Sequence, residues 1–320
     1  MKLVVLDSYA AVSTDLSLDC LKEFCDEMTV YDRTDPRDVA ARIGDAEMVL
    51  INKTVLSEEI LSQCPSVRYI GIFATGYNVV DIGYCRSHGI VVSNAPAYST
   101  NAVAQLVFAF LLHFASRVDQ HDRQVHEGAW ENCRDFAFYD PRICELAEKT
   151  IGLIGYGNIG RKVARIAHAF DMEVLVYTRT PHPEEETAHL RFCSLDELLA
   201  KSDFVSLHCP LFPETARLID RTAVSKMKDG AVLINTARGG VIDEQAVADG
   251  LHSGKLSGAA VDVATREPIN GDSPLLSAPN CVITPHMAWA AREARRRLIG
   301  IVCENVRAFL AGSPTNNVAK

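Results

Sequence analysis

Residues 151–170, IGLIGYGNIGRKVARIAHAF, constrain this chain more than any other stretch. The apolar run Ile151–Ile154 reads as a strand. Gly155, Gly157 and Gly160 then form G-x-G-x-x-G, and an amphipathic run starts at Arg161. Strand, tight turn and helix are the setting in which this glycine spacing binds a dinucleotide. The first glycine permits the turn. The second lets a pyrophosphate approach the backbone, and the third lets the helix pack on the strand. The helix N-terminus then offers free N–H groups and a partial positive charge to phosphates. A structural glycine turn could show the same spacing; the flanking strand and helix are what favour a nucleotide site.

The fingerprint lies mid-chain. Roughly 150 residues precede it, enough for another domain. At 320 residues, two domains are expected. A formal net charge of −9 argues against nucleic acid or an anionic membrane as partner. Met1 leads straight into the strand-like run Leu3–Leu6, without a basic leader or cleavage site. The longest apolar run, Ala102–Ala115, is interrupted by Gln105 and His113 and is too short to span a bilayer. The ten cysteines are scattered with no C-x-x-C, which reads as reduced thiols in a cytoplasmic protein. Metal ligands are not clustered, so no metal is expected. His208-Cys209 are adjacent, but on a strand they would point to opposite faces.

The first segment alternates strands (Lys2–Leu6, Glu47–Ile51, Arg68–Ile72, Ile90–Val92) with helices (Leu16–Glu27, Pro36–Ile43, Ser57–Gln63, Asp81–His88). A long helix is expected from about Asn101, which would cap it, to His126, its apolar face buried against another domain or subunit. Beyond Glu148-Lys149, strands are expected at Glu173–Tyr177, Asp203–Leu207, Ala231–Ile234, Gly258–Val261 and Cys281–Ile283. Helices fall near Leu195–Lys201, Asp220–Met227 and Asp243–Ser253. A last helix, about Ala290–Leu310, would return to the first domain. The expected class is α/β, with two Rossmann-like domains on doubly wound parallel sheets. Residues 1–99 plus 288–320 would form a discontinuous substrate domain, and residues 100–287 the dinucleotide-binding domain.

Three segments past strand ends carry candidate chemistry. Arg238, in INTARGG, could bind a carboxylate through two parallel hydrogen bonds. Glu267 lies in VDVATREP and His286 in TPHMAW. Each alone is more often structural. All three following parallel strands of one nucleotide domain point to a site. A 2-keto acid needs a cation for its carboxylate, a proton for its developing alkoxide and a hydride source, and Arg238, His286 and a dinucleotide would supply them.

With ATGYNVVD (74–81), NAPAYSTNAVAQ (94–105), GYGNIG (155–160) and HCPLFPET (208–215) added, the chain resembles the D-isomer-specific 2-hydroxyacid dehydrogenases. It looks most like their glycerate dehydrogenase/hydroxypyruvate (glyoxylate) reductase branch. The resemblance implies that Arg238 binds the substrate carboxylate and polarises the keto group. His286 would be general acid in reduction, and Glu267 would favour its protonated form. Thr75, Gly76 and Tyr77 would cradle the carboxylate, with Trp289 closing a small pocket. Gly155, Gly157, Asn158, Ile159 and Gly160 would hold the cofactor, with Thr215, Thr236 and His286 also touching it. Asp262 and the backbone near Ala237 would hold the nicotinamide carboxamide, and Cys209 and Pro210 the adenosine side. The substrate would lie between the domains, so that closure expels water.

Two positions depart from the family pattern. An acid for the ribose 2′-OH usually follows the second strand; here Thr178 and Arg179 stand there, which favours NADP, or use of both NADP and NAD, unless Arg179 points to solvent and NAD binds acceptably. Gln105 replaces a usual Glu. Small polar 2-keto acids are the expected substrates. Phosphoglycerate oxidation and formate oxidation, whose branch carries Gln in place of Glu267, fit less well. A larger 2-keto acid stays open, as does a dinucleotide-sensing corepressor role, which the acidic charge and the lack of a basic arm disfavour. Ala102–Ala115 and Gly128-Ala129-Trp130 resemble the family's contact between subunits, so a homodimer is expected.

Overall fold

A computed structural model describes residues 1–320. The chain forms two compact units, residues 1–99 with 290–320, and residues 100–289.

The first unit is a five-stranded parallel sheet in the order β2-β1-β3-β4-β5, from β1 (Lys2–Val5), β2 (Glu27–Val30), β3 (Met48–Ile51), β4 (Tyr69–Ile72) and β5 (Val91–Ser93). The central strands β3 and β4 are buried on both faces, so each reads as an uninterrupted apolar run. Strand order reverses between β1 and β3. There the Asp7 carboxylate accepts from the N–H groups of Asn52, Lys53 and Thr54 at 2.6–2.7 Å. The helix Arg292–Leu310 packs on β4, β5 and the 3-10 turn Asp19–Phe24, with Phe309 stacked on Tyr69. Beyond it, Val318 N–H donates to Val92 O and Asn94 N–H to Asn316 O, covering the free edge of β5.

The second unit has seven parallel strands in the order β12-β11-β10-β9-β6-β7-β8: β6 (Thr150–Ile154), β7 (Glu173–Tyr177), β8 (Leu190–Phe192), β9 (Phe204–Leu207), β10 (Ala231–Asn235), β11 (Leu256–Val261) and β12 (Cys281–Ile283). This is the doubly wound order of dinucleotide-binding sheets with one strand added. Its switch point falls between β6 and β9.

Several expectations need correction. Leu16–Glu27 is not a helix. It holds the 3-10 turn Asp19–Phe24, and Glu27–Val30 pairs with β1 as an edge strand. Edge strand β8 was also unforeseen; both edge strands are short and half-exposed or more, so no apolar run marks them. The long helix begins at Thr100 rather than being capped by Asn101. It breaks at Arg117, whose φ of 51° leaves the helical region, into Thr100–Ser116 and Val118–His126 bent by 56°. Its apolar side packs on the helix Asn158–Ala169 and on β10 of its own unit. His208 and Cys209 lie past the end of β9 rather than on it. All ten cysteines are free thiols, and no single helix is long and apolar enough to cross a membrane.

Candidate active site

At the switch point of the larger sheet, the three fingerprint glycines meet different constraints. Gly155 has φ of +100°, and a Cβ there would lie 2.7 Å from His208 C and 2.8 Å from Cys209 N. Its N–H donates to Tyr177 O at 2.8 Å, which ties the turn to the end of β7. A Cβ on Gly160 would lie 2.3 Å from Gly155 O, so this glycine lets the helix approach the turn. Around Gly157 there is no protein atom within 4 Å of a Cβ. That open space is what a group approaching the backbone requires. It borders a cavity of about 560 Å³ lined by the glycine turn, the end of β7 (Tyr177 to Thr180) and the segment after β9 (His208 to Leu218).

Gly155, Gly157, Thr178, Arg179, Cys209, Pro210 and Thr215 line this cavity. Arg179 and Glu214 are its only charged lining residues, and Arg179 is exposed with no hydrogen bond or ion pair. Thr215 contributes through its turn: its hydroxyl donates to Pro210 O and accepts from Phe212 N–H. Asn158 and Ile159 open the helix but are not cavity-lining residues; Ile159 packs against the core. His208 was missed. Its Nε2 is buried without a partner, and burial pushes the imidazole down to about 3, so it stays neutral. Burial also raises the Cys209 thiol. The hydroxyls of Ser206 and Thr236 are buried and unpartnered as well. Orphaned polar atoms and an open glycine cradle fit a dinucleotide, held by Gly155–Gly160 and the ends of β7 and β9.

The loops after β10, β11 and β12 converge on the second cluster. Asn235, fully buried, accepts Ala237 N–H through Oδ1 (3.0 Å) and donates to Arg238 O through Nδ2 (2.9 Å), fixing the turn that exposes Arg238. Arg238 itself donates to Ala237 O. Gly239 allows this turn to sit on the next loop, since a Cβ would be 1.9 Å from Ala264 C. In that loop Glu267 accepts from Ala264 N–H through Oε1 (3.2 Å). Its Oε2 lies 2.7 Å from His286 Nδ1. An ionised carboxylate has no proton to give, so Nδ1 carries the hydrogen and Nε2 is left for other partners. His286 has φ of 51° and its N–H donates to Asp262 O.

Asp262 ties the loop after β11 to the loop after β12. It is 1% exposed. Its Oδ1 accepts from Thr284 Oγ1 (2.5 Å) and Met287 N–H (2.8 Å), and its Oδ2 from Ala288 N–H (2.8 Å). The carboxylate organises the loop that carries His286. Ala237 N–H is likewise taken by Asn235, leaving the Thr236 hydroxyl as that turn's free buried group. Trp289 follows His286 by three residues and is half-buried. Thr75, Gly76 and Tyr77 belong to the smaller unit, in the loop after β4. His182, Glu184 and Glu185 cluster at the surface, yet His182 bonds Glu184, and Glu185 pairs with Arg161.

A dinucleotide fold with an Arg, Glu and His set on three adjacent strand ends fits the class of oxidoreductases. Residues 108–288 match the family described as D-isomer specific 2-hydroxyacid dehydrogenase, NAD binding domain. Hydroxypyruvate reductase of Blautia hydrogenotrophica is 46% identical over the whole of both chains. Among solved structures, an acyclic imino acid reductase in complex with NADPH and D-arginine is 32% identical with a TM-score of 0.87, covering 99% of this chain and all of that one. D-lactate dehydrogenase from Aquifex aeolicus, complexed with NAD and lactic acid, is 30% identical with a TM-score of 0.82 over 98% and 96% of the two chains. The chain belongs to the D-isomer-specific 2-hydroxyacid dehydrogenase family and is an NAD(P)-dependent enzyme of that class.

Proposed function

We propose that this enzyme reduces hydroxypyruvate or glyoxylate to the corresponding 2-hydroxy acid, with NADPH preferred. The Glu267–His286 pair carries the reading, because it presents an imidazole with one nitrogen already committed to a carboxylate. The 46% identity to a hydroxypyruvate reductase supports the substrate. The Arg238 guanidinium binds the substrate carboxylate and polarises the keto oxygen. The bound dinucleotide supplies the hydride that C2 receives. As the C=O bond becomes C–O⁻, His286 Nε2 gives its proton to that oxygen, and Glu267 stabilises the ring's charged form. Asp262 and Asn235 hold the two loops in register. Thr75, Gly76 and Tyr77 offer backbone N–H groups to the carboxylate, and Trp289 keeps the pocket small.

The NADPH preference rests on the end of β7. Thr178, Arg179 and Thr180 stand where a carboxylate would select for a free 2′-hydroxyl, and Arg179 is unengaged. The enzyme works as a cytoplasmic homodimer through residues 118–143. There Val118, Trp130, Phe136 and Tyr139 are between 55% and 93% exposed, apolar side chains that a partner subunit would cover. Initial rates with hydroxypyruvate, glyoxylate, pyruvate and 2-ketobutyrate, each with NADPH and NADH, test both parts. Hydroxypyruvate or glyoxylate with NADPH gives the highest kcat/KM. Faster turnover of pyruvate or 2-ketobutyrate overturns the substrate assignment, and a preference for NADH above about tenfold overturns the cofactor assignment.

A further inference from the structure

The loop Thr75–Tyr77 is tied down on one side. Ala74 O accepts from Ala95 N–H (2.9 Å) and Thr75 O from Asn94 Nδ2 (2.7 Å), while Thr75 Oγ1 donates to Ala95 O (2.8 Å). In a trans peptide the carbonyl and the following N–H point in opposite directions. Holding both carbonyls toward Asn94 and Ala95 therefore turns the N–H groups of Thr75 and Gly76 the other way. Neither donates to any protein group. Two adjacent N–H groups so aimed suit an anionic acceptor.

Asn94 is itself held. Its carbonyl accepts from Asn305 Nδ2 at 2.8 Å and its N–H donates to Asn316 O at 3.2 Å. Asn305 interrupts the apolar stripe Leu298, Ile299, Val302, Cys303 and Val306 of the helix Arg292–Leu310, and it is 1% exposed. Its Oδ1 accepts from Thr315 Oγ1 (3.1 Å) and Asn316 Nδ2 (2.8 Å). Ser93 Oγ adds a bond to Thr315 O. A chain of hydrogen bonds thus runs from residues 315–316 through the Asn305 side chain to the Asn94 carbonyl, and the Asn94 side chain carries it on to the Thr75 carbonyl. Packing alone would be served by an apolar residue at 305. An amide engaged at both ends fixes geometry instead.

We propose that Asn94 and Asn305 are positioning residues for substrate, and that residues 315–316 support the substrate site through them although they touch no substrate. This rests on the reading that Thr75–Tyr77 binds the carboxylate. The test measures keto-acid KM, kcat, dinucleotide Kd by fluorescence and thermal unfolding for Asn94→Asp, Asn305→Leu and Asn305→Asp. Asn94→Asp sets a carboxylate against Thr75 O; we expect keto-acid KM to rise about tenfold or more, with dinucleotide Kd held within about twofold. The two Asn305 variants shift KM the same way by less, and Asn305→Asp keeps both acceptor bonds should Asn305→Leu not fold. Unchanged KM in folded variants overturns the proposal. So does a joint loss of keto-acid affinity, dinucleotide affinity and melting temperature, which marks a general structural role. Gly76→Pro, which removes one N–H, separates the two readings. If it leaves KM unchanged, the carboxylate loop itself is wrong; if it raises KM while Asn94→Asp does not, only the positioning role falls.

Discussion

Two glycines two residues apart in the fingerprint should fail in opposite ways. In Gly155→Ala the backbone keeps φ near +100° at a cost of about 1–2 kcal/mol for an L-residue. The new methyl would also sit 2.7 Å from His208 C and 2.8 Å from Cys209 N. Both are backbone atoms between adjacent strand ends and cannot rotate away, so overpacking adds about 1–3 kcal/mol. The sum is about 2–5 kcal/mol, which lowers the melting temperature of the larger unit by about 10 °C. Gly157→Ala meets no atom within 4 Å, and Gly157 has φ of −80°, which alanine adopts freely. Its melting temperature stays level or rises slightly, since alanine restricts the unfolded chain. Its methyl instead occupies the space that a pyrophosphate would enter, and dinucleotide Kd rises tenfold or more, about 1.4 kcal/mol. Scanning calorimetry and quenching of tryptophan fluorescence by dinucleotide read the two quantities separately. Wild-type melting in Gly155→Ala refutes the steric argument. Wild-type Kd in a folded Gly157→Ala refutes the placement of the phosphates.

Arg179→Ser should cut kcat/KM for NADPH tenfold or more while changing NADH by less than about twofold; equal losses with both cofactors would remove Arg179 from 2′-phosphate recognition. Glu267→Gln removes the carboxylate that accepts from His286 Nδ1 and should cut kcat for reduction tenfold or more with dinucleotide Kd held within about twofold, and an unchanged kcat would sink that role. His208 is neutral when folded and titrates only near pH 3, whereas an unfolded histidine takes its proton near pH 6.5. Below about pH 6.5 the unfolded chain binds the extra proton, so the native state loses up to about 1.4 kcal/mol per pH unit down to about pH 3. His208→Gln should therefore lose less stability between pH 8 and pH 5 than wild type, by about 2 kcal/mol in denaturant titrations; equal losses would place the ring in contact with water. Phe136→Asp should convert a dimer to monomer in sedimentation velocity, and a persisting dimer would move the subunit contact off residues 118–143.

Much of the larger unit was legible because its strands are buried on both faces and leave apolar runs at regular intervals. The fingerprint was legible for a related reason: Gly155 and Gly160 are forced by contacts only a few residues away or at the next strand end. Arg238 and Glu267 could be found because each follows such a strand, and His286 because it follows the short apolar run Cys281–Ile283. What could not be read depends on side chains meeting across long separations. Asp262 looks the same in sequence whether it faces a cofactor or collects N–H groups from residues 287 and 288. Nothing in a helical apolar stripe tells whether Asn305 is tolerated or required. The break at Arg117 has no glycine or proline to announce it, and β2 and β8 are recognised only by the neighbours whose backbones they pair with.

The return of residues 290–320 to the first unit orders events during synthesis. Domains form as units while the chain emerges, at about 5–20 residues per second. Residues 100–289 are contiguous and can complete their sheet as soon as they leave the ribosome. The first hundred residues cannot, although they emerge earlier. For some tens of seconds β5 presents a bare edge, Asn94 lacks the amide of Asn305, and the face of β4 that receives Phe309 is open to water. The unit that reaches the ribosome exit first is thus the last to become native, and the nascent chain carries an unfinished, adhesive sheet on one end while a completed nucleotide-binding domain forms behind it.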